Sequence, residues 1–225
     1  LVDAVAAAFG GLTGSRPKRI NGDVEAQFGS VIVNKSTEQV HFCLGTQGFA
    51  QSSRQKYVLA AIDSAIGGGM SSRLFQEIRE NRGLAYAIGS YSSAYQEAGM
   101  FAVYGGTSVS NISSVLDLVQ KELHSLAESG VTDEELERAK NQIRSALVLG
   151  QESMSNRMSR LARNELYFGR IVRLDEIIDS ITGVEREDVA RVASEIFSDG
   201  RFALAAIGPF KKYRGALDSR LAATA

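Results

Sequence analysis

The sequence is poor in the residues that build metal centres and disulfide bonds. Among its 225 residues there is one cysteine, Cys43, and there are two histidines, His41 and His124. A single cysteine excludes an internal disulfide, and the set is too small for a zinc site of three or four nitrogen and sulfur ligands. If the chain belongs to a metalloenzyme, we expect most of the metal ligands to lie elsewhere.

An excess of either charge is also missing. The sequence has 25 basic and 26 acidic residues and a net charge of -1, which argues against nucleic-acid binding because no broad basic field is available. No apolar run approaches the roughly 18 residues that a membrane-spanning helix needs. We therefore expect a soluble protein without membrane insertion, and a cytoplasmic location is favoured.

Proline is scarce too, with 2 residues, while 44% of the sequence is hydrophobic and 23% is charged. This composition excludes disordered and collagen-like classes and predicts a folded chain of one large domain or two small ones. Residues 1–9 have apolar side chains at helical spacing but no basic start, so they predict the tail of a helix rather than a signal peptide. Residues 12–24 are rich in Gly, Arg and Asn and indicate a linker.

The periodicity of the apolar residues predicts strands early, helices in a long later run and one strand at the end. Strands are predicted at 31–33, 40–44, 85–95, 99–106 and 202–207, and helices at 57–66, 71–82, 112–126, 132–149, 154–166, 174–181 and 189–197. Thr132 and Glu135 form a predicted capping box, and Gly83 is expected to be a left-handed helix cap. The early strands come in two pairs. Strict βαβ alternation is absent, so we predict an α+β fold with a mainly antiparallel sheet and helices packed on one face.

The loop Gly67-Gly68-Gly69-Met70-Ser71-Ser72 leads into a helix N-terminus. Unpaired backbone N–H groups at such a point favour an anion or a carbonyl oxygen. The segment is not a P-loop, since no Lys-Ser or Lys-Thr pair follows the glycines. A tight connection with no ligand is the alternative interpretation.

Arg79 and Tyr86 are the second candidate pair. A helix end, the Gly83 turn and a strand start bring a cation and a phenol towards one junction, where both could point at a peptide carbonyl. The alternative is structural, because Arg is common near a helix C-terminus and Tyr is common at the start of a strand.

The remaining chemically active side chains favour ordinary roles. His41 in a strand is typical of a satisfied or surface histidine, and His124 in a helix is typical of a solvated one. Cys43 has no basic neighbour to lower its pKa, which favours an inert buried thiol. Met154 and Met158, at helical spacing, favour core or interface contacts over metal binding.

The run GGGMSSRLFQEIRENRGLAYAIGSYSSAYQEAGMFAVYGGTS, from Gly67 to Ser108, resembles the hallmark stretch of the C-terminal half of pitrilysin- or insulinase-type zinc peptidases, the inverzincins. Within that family it is most similar to the bacterial members that resemble mitochondrial processing peptidase. Residues 39–48, 132–150 and 202–208 resemble the opening strand, the acidic-capped helix and the closing strand of the same half.

This resemblance implies a clamshell of two homologous halves around a peptide chamber. The N-terminal half of such enzymes carries H-x-x-E-H, which binds zinc and activates water. That motif is absent here, so the chain resembles the second half and is expected to be inactive alone, with zinc held by the missing half. The resemblance assigns catalytic roles to Arg79 and Tyr86 in binding the substrate carbonyl and stabilising the oxyanion. It assigns substrate contacts to the glycine loop, residues Gly67, Gly68, Gly69, Met70 and Ser71.

The implied partners are a peptide substrate, the N-terminal half or a homologous subunit, and a second copy in a homodimer. The implied domains are 1–11 (last helix of the preceding half), 12–24 (linker), 25–210 (the peptidase-like domain) and 211–225 (a tail). The glycine loop is shorter than in the presequence-binding subunit of mitochondrial processing peptidase, which favours a catalytic-type peptidase. A non-catalytic partner or structural subunit of the same fold is the main alternative, and a phosphate-binding module using Gly67–Gly69 is a remote one.

Overall fold

A computed structural model describes residues 1–14 and 24–210 of the chain. The strands of this part are β1 (Gly29–Asn34), β2 (Val40–Gly48), β3 (Ala85–Ala94), β4 (Gly99–Thr107) and β5 (Ala203–Gly208). The helices are α1 (Val2–Phe9), α2 (Gln55–Ile66), α3 (Ile112–Ser129), α4 (Asp133–Leu149), α5 (Met154–Phe168), α6 (Leu174–Thr182) and α7 (Arg186–Phe197). A π-helical segment, Phe75–Glu80, and a 3-10 turn, Gly150–Glu152, complete the elements.

The strands form one sheet in the order β1-β5-β2-β4-β3. All neighbours are antiparallel except β1 and β5, which are parallel. The predicted α+β fold with a mainly antiparallel sheet is confirmed. The predicted pairing of the first two strands is wrong, because β5 lies between them and bonds to both. The polar residues after β1 indicated a hairpin turn locally, but a strand from the far end of the chain takes the place of the partner.

Alternation along the strands explains why the helices pack on one face only. In β2, Val40, Phe42 and Leu44 are buried, whereas the residues between them are exposed or half-buried. The buried set meets α2, α3 and α7 in one apolar core. Burying every second residue of a strand is expected when one face of a sheet packs on the core. We call the side away from these helices the open face.

Local capping follows the sequence closely. The Thr132 hydroxyl accepts a hydrogen bond from the Glu135 N–H at 3.2 Å, and the Glu135 carboxylate accepts one from the Thr132 N–H at 2.8 Å. The predicted capping box is therefore confirmed. The predicted break near Gly150 is confirmed as well, since α4 ends at Leu149 and α5 starts at Met154.

The predicted N-terminal helix is present as α1, and residues 1–14 are all exposed. The domain boundaries proposed from the sequence stay predictions, and residues 15–23 of the linker and the tail 211–225 lie outside the described residues. Across 1–14 and 24–210, no helix is both long and apolar enough to cross a lipid bilayer.

Candidate functional site

A β-bulge places the Tyr86 side chain on the open face. Ala85 pairs with Thr107 and Ala87 with Gly106, so Tyr86 is an extra residue without a partner in β4. A regular strand would turn residues 85 and 87 to the same side. The bulge instead leaves Ala85 buried and both Tyr86 and Ala87 exposed, and Tyr86 is 77% exposed. Bulges commonly re-aim a side chain in this way beside functional sites.

The segment before β3 ends in a widened turn that returns the chain to Arg79. The Asn81 N–H donates to the Gln76 carbonyl at 2.8 Å, which is a π-helical bond between residues five apart. The Leu84 N–H then donates to the Ile78 carbonyl at 2.9 Å, with Gly83 at a φ of +61°. The predicted left-handed cap is confirmed, because a side chain at this φ would be strained.

This turn brings Arg79 and Tyr86 together, as their spacing predicted. The Arg79 guanidinium carbon lies 5.8 Å from the centroid of the Tyr86 ring and 4.6 Å from that of the Phe75 ring. Both distances are within the range of cation–π contacts. The two rings therefore hold the guanidinium next to the Tyr86 phenol at the edge of the open face.

A carboxylate near Arg79 leaves its charge largely available. The Arg79 Nε lies 3.8 Å from Glu80 Oε1, and about half of each side chain is exposed. Such a long, solvated pair contributes little, because water screens both charges. The guanidinium can therefore still donate to a ligand.

The glycine loop packs against the edge of β3. A Cβ on Gly67 would come 2.3 Å from the Ser90 nitrogen and 2.8 Å from the Gly89 carbonyl carbon. No side chain fits at that distance, so glycine is required there by backbone packing. The Ser90 N–H points at the Gly67 carbonyl at 3.4 Å, and the loop thus covers part of an edge strand.

Side chains of α4 and of the segment that follows the loop hold the carbonyl groups of the loop. Gln142 of α4 donates to the Gly68 carbonyl at 2.7 Å, and the Ser72 hydroxyl donates to the Gly69 carbonyl at 2.6 Å. Gln76 donates to the Met70 carbonyl at 2.7 Å. The loop is therefore braced on several sides, and it presents Met70, which is 75% exposed, to solvent.

Asp63, near the end of α2, links this loop to β3 and was not singled out by the sequence. Its carboxylate accepts from the Ser92 N–H at 3.0 Å and from the Ser90 hydroxyl at 2.5 Å. Burial raises the pKa of Asp63, and the hydrogen bonds from Ser90 and Ser92 oppose that rise. The one signal in the sequence was an acidic residue in the last turn of a helix without basic neighbours there.

An arginine ties the segment after the loop to α4. Arg73 donates to both carboxylate oxygens of Glu135, at 2.6 and 2.7 Å, and to the Gly130 carbonyl at 2.9 Å. Burial alone would raise the pKa of Glu135, but the hydrogen bonds from Arg73 and Thr132 outweigh it and lower that pKa. This brace holds the base of the segment that carries Arg79.

The other candidate residues are not part of this cluster. His41 is exposed on the open face of β2, and His124 is exposed on α3, where its Nε2 lies 3.2 Å from Glu128 Oε1. Cys43 is half-buried on the open face, with its sulfur 3.8 Å from the Tyr91 hydroxyl, so the prediction of a buried thiol is wrong. The thiol lies on the face that the helices leave uncovered.

Met154 and Met158 are both exposed on α5, so a core position for them is wrong. Their helical spacing is real, but α5 turns these residues outward and buries Asn164 instead. The described residues contain no group of three or more His, Cys, Asp or Glu that could hold a metal ion. They therefore do not fit a zinc site.

Comparison with known proteins gives one family throughout. The family model of the peptidase M16 inactive domain matches residues 1–143. The uncharacterized zinc protease YmxG of Bacillus subtilis is 41% identical over 175 residues, which are 78% of this chain and 42% of that protein. An uncharacterized zinc protease of Streptomyces coelicolor is 38% identical over 211 residues, 94% of this chain and 44% of that protein. The chain thus spans less than half the length of these relatives.

Solved structures share the fold. A peptidase M16 inactive domain from Pseudomonas fluorescens matches with a TM-score of 0.78 at 21% identity, covering 87% of this chain and 47% of that one. A chain of complex III2 from Candida albicans matches with a TM-score of 0.74 at 19% identity, covering 82% of this chain and 46% of that one. At these identities the likeness concerns the fold alone.

Proposed function

Because the chain belongs to the M16 peptidase family, as its inactive domain, we propose that it is the substrate-binding half of a zinc metalloendopeptidase. The observation that carries the proposal is the placement of Arg79 beside the exposed Tyr86 phenol, at the edge of a sheet face that no helix within residues 1–14 and 24–210 covers. The names of the Bacillus and Streptomyces relatives as zinc proteases support the same reaction class.

In this proposal Arg79 and Tyr86 act on the carbonyl of the bond to be cleaved. Peptide hydrolysis places negative charge on that oxygen, and donors fixed beforehand near the oxygen stabilise the charge. The Tyr86 hydroxyl donates one hydrogen bond to it. Arg79 supplies a cation that also holds the peptide backbone before the reaction, and the Phe75 ring keeps the guanidinium in place.

We also assign substrate contacts to the glycine loop. Its geometry indicates which residues pack against the protein and which are free to contact a peptide. Packing against β3 accounts for Gly67. Met70 and Ser71 are exposed at the tip of the loop, and Gly68 and Gly69 have their carbonyl groups bound by Gln142 and Ser72. A fixed loop costs little entropy when a peptide binds. The proposed contact therefore falls on Met70 and Ser71.

Zinc, when bound, supplies a Lewis acid and an activated water. Since the described residues of this chain do not fit zinc, we assign the metal to a second half of the protein or to a homologous subunit, and we derive no step through it here. A homodimer, in which a second copy of the chain takes the place of the other half, is a further possible arrangement in this proposal. In each case the open face meets the partner.

The fold is also shared with a chain of complex III2, so the main alternative is a non-catalytic subunit. Reconstitution separates the two. The chain alone should retain well under one zinc per molecule after dialysis and should not cleave a set of unstructured peptides. With the N-terminal half it should cleave them, and a chelator should abolish the cleavage.

Two outcomes would contradict the proposal. One is stoichiometric zinc and chelator-sensitive cleavage by the chain alone. The other is a reconstituted complex that binds zinc in its other half and cleaves nothing. The second result would favour the non-catalytic subunit. A chain with Arg191→Ala, a substitution remote from Arg79 and Tyr86, is prepared and reconstituted in the same way. It should cleave like wild type, so that activity lost during preparation is not mistaken for an effect on the site.

A further inference from the structure

A groove between α2 and α4 opens next to the glycine loop. It is not on the open face, because α2 packs on the other side of the sheet. Its volume is about 360 Å³, at the lower end of the range for small-molecule pockets. Residues three or four positions apart lie on one face of a helix, and such faces of α2 and α4 form the two walls. The lining residues are Ala60, Asp63, Ser64, Gly68, Gln142, Ile143, Ala146 and Leu147.

Hydrocarbon side chains make up most of both walls. Ile143 and Leu147 are half-buried along α4, and Ala146 between them is exposed. Ala60 of α2 lines the groove from the other side. Covering such side chains is favourable in proportion to the apolar area that leaves water. The walls therefore favour a ligand with an apolar body.

The Asp63 carboxylate is the one ionisable group among the lining residues. It accepts hydrogen bonds from the Ser90 hydroxyl at 2.5 Å, the Ser92 N–H at 3.0 Å and the Ser92 hydroxyl at 3.3 Å. An ionised carboxylate has about four acceptor positions, so it can accept from one further donor.

Within residues 1–14 and 24–210, neutral groups alone compensate this charge. The hydrogen bonds of Ser90 and Ser92 lower the pKa of Asp63, and no basic side chain contributes, while burial raises that pKa. A carboxylate withdrawn from water is more stable beside a cation that also donates a hydrogen bond. The groove thus has a place for an ammonium at one point and for an apolar body along its walls.

Gln142 connects the groove to the glycine loop. Its amide nitrogen donates to the Gly68 carbonyl at 2.7 Å, and its amide oxygen accepts from the Ser64 hydroxyl at 3.3 Å. A Cβ on Gly69 would lie 3.3 Å from the Gln142 Nε2, so this side chain also packs on the loop. A ligand in the groove therefore contacts residues that hold the loop, and the backbone amides of the loop should report its binding.

We propose that this groove is a binding site for a small organic cation, an ammonium group carried on an apolar chain or ring. The ammonium donates to the Asp63 carboxylate, and the apolar body lies between Ala60 of α2 and the side chains of Ile143, Ala146 and Leu147 of α4. Neither Arg79 nor Tyr86 takes part, so the site does not depend on the proposed peptidase function.

The test is a titration of the purified chain with 2-phenylethylamine at neutral pH, followed by NMR of the backbone amides. The matched probe is 2-phenylethanol, which has the same ring and chain and no charge. The amine should shift the amides of Ala60, Asp63, Gly68 and Ala146, with a Kd on the order of 1 mM for a ligand of this size. The alcohol should bind roughly tenfold more weakly, because hydrogen bonds between charged groups are stronger than neutral ones.

Three variants locate the site. Asp63→Asn keeps the shape of the side chain and should weaken the amine roughly tenfold while leaving the alcohol within about twofold of wild type. Ala146→Phe adds a ring to the groove from an exposed helix position and should weaken both probes by about tenfold or more. Asp179→Asn removes an exposed carboxylate of α6 outside the groove and should change neither. Circular dichroism checks the folding of each variant.

Three results would overturn the site. The first is an amine affinity that is unchanged in folded Asp63→Asn. The second is equal affinity of wild type for the amine and the alcohol. The third is the absence of shifts around the groove at about ten times the expected Kd. If Asp63→Asn does not fold, the comparison of the two probes in wild type and in Ala146→Phe still decides the question.

Discussion

The two faces of the sheet are made by the same strands and differ in almost every other respect. In β4, Phe101 is buried and stacks edge-to-face on Phe197 of α7, with ring centroids 5.2 Å apart. Three residues later Tyr104 stands half exposed on the open face. The alternation of the strand therefore separates two environments within a few residues. One side holds the domain together, and the other leaves rings and small residues on the face that we propose binds substrate.

This comparison predicts that substitutions on the two faces fail in different ways. Changes on the covered face should lower the free energy of unfolding. Changes on the open face should leave stability nearly unchanged and alter binding or turnover. The predictions below test that division, beginning with the largest expected effect on stability.

Phe101→Ala should give the largest loss of stability. It removes a fully buried ring and its contact with Phe197, and truncations of this kind cost about 3–5 kcal/mol. Urea unfolding followed by circular dichroism measures the loss. The matched control is Tyr104→Ala in the same strand, which should cost less than about 1 kcal/mol because its ring is half exposed.

Equal losses of unfolding free energy in Phe101→Ala and Tyr104→Ala would contradict the division between the two faces. That result would mean that the Tyr91 and Tyr104 rings contribute to folding as much as the core does. The open face would then be a second core surface rather than a binding surface.

The brace between Arg73 and Glu135 should give an intermediate effect. Arg73→Ala leaves a half-buried carboxylate and the Gly130 carbonyl without this donor, and unpaired buried groups cost about 1–3 kcal/mol. Arg191→Ala breaks an exposed pair with Asp188 and should cost less than about 1 kcal/mol. Equal losses in the two variants, measured by urea unfolding, would show that the brace is not buried enough to matter.

The same brace predicts a pH dependence. The pKa of Glu135 is lowered in the folded state, so its contribution to stability is present above its unfolded pKa and is lost as pH falls through the folded pKa. In Glu135→Gln this acid loss should be smaller than in wild type. Unfolding measured from neutral pH down to the acid range checks this, and identical acid profiles would contradict it.

How much of this architecture could be predicted depends on how far apart in sequence the interacting residues are. Capping by Thr132 and Glu135, the Gly83 turn and the meeting of Arg79 with Tyr86 all follow from residues close in sequence. The insertion of β5 beside β1 does not, because its strand pairs join the ends of the domain.

The bulge at Tyr86 was also missed, since it is set by the register against β4 and leaves no mark in the pattern of apolar residues. The pattern of apolar residues also did not predict the hydrogen bonds of Asp63 with Ser90 and Ser92 or the contact between the Tyr91 and Tyr104 rings. The sequence thus identified the proposed pair, Arg79 and Tyr86, but not the surroundings that hold the two side chains.

Asp63 should give the smallest effect on stability, and the sign of its pH dependence is opposite to that of Glu135. Its pKa is raised in the folded state, so its contribution to stability is present below its unfolded pKa and is lost as pH rises through the folded pKa. The stability of wild type relative to Asp63→Asn should therefore fall over that window. A difference that rises with pH, or that stays constant, would contradict the assignment.

The most direct test of the central claim is turnover in the complete enzyme carrying Tyr86→Phe, normalised to folded, zinc-loaded protein. Loss of one donor to the oxyanion should lower kcat by about 10² to 10³ with little change in KM. Arg79→Ala should lower kcat and raise KM, because the proposal also has Arg79 hold the backbone of the peptide. Zinc content and unfolding free energy should match wild type in both variants. Near-normal turnover in both, with folding and zinc unchanged, would contradict the claim that this half of the protein acts on the substrate through Arg79 and Tyr86.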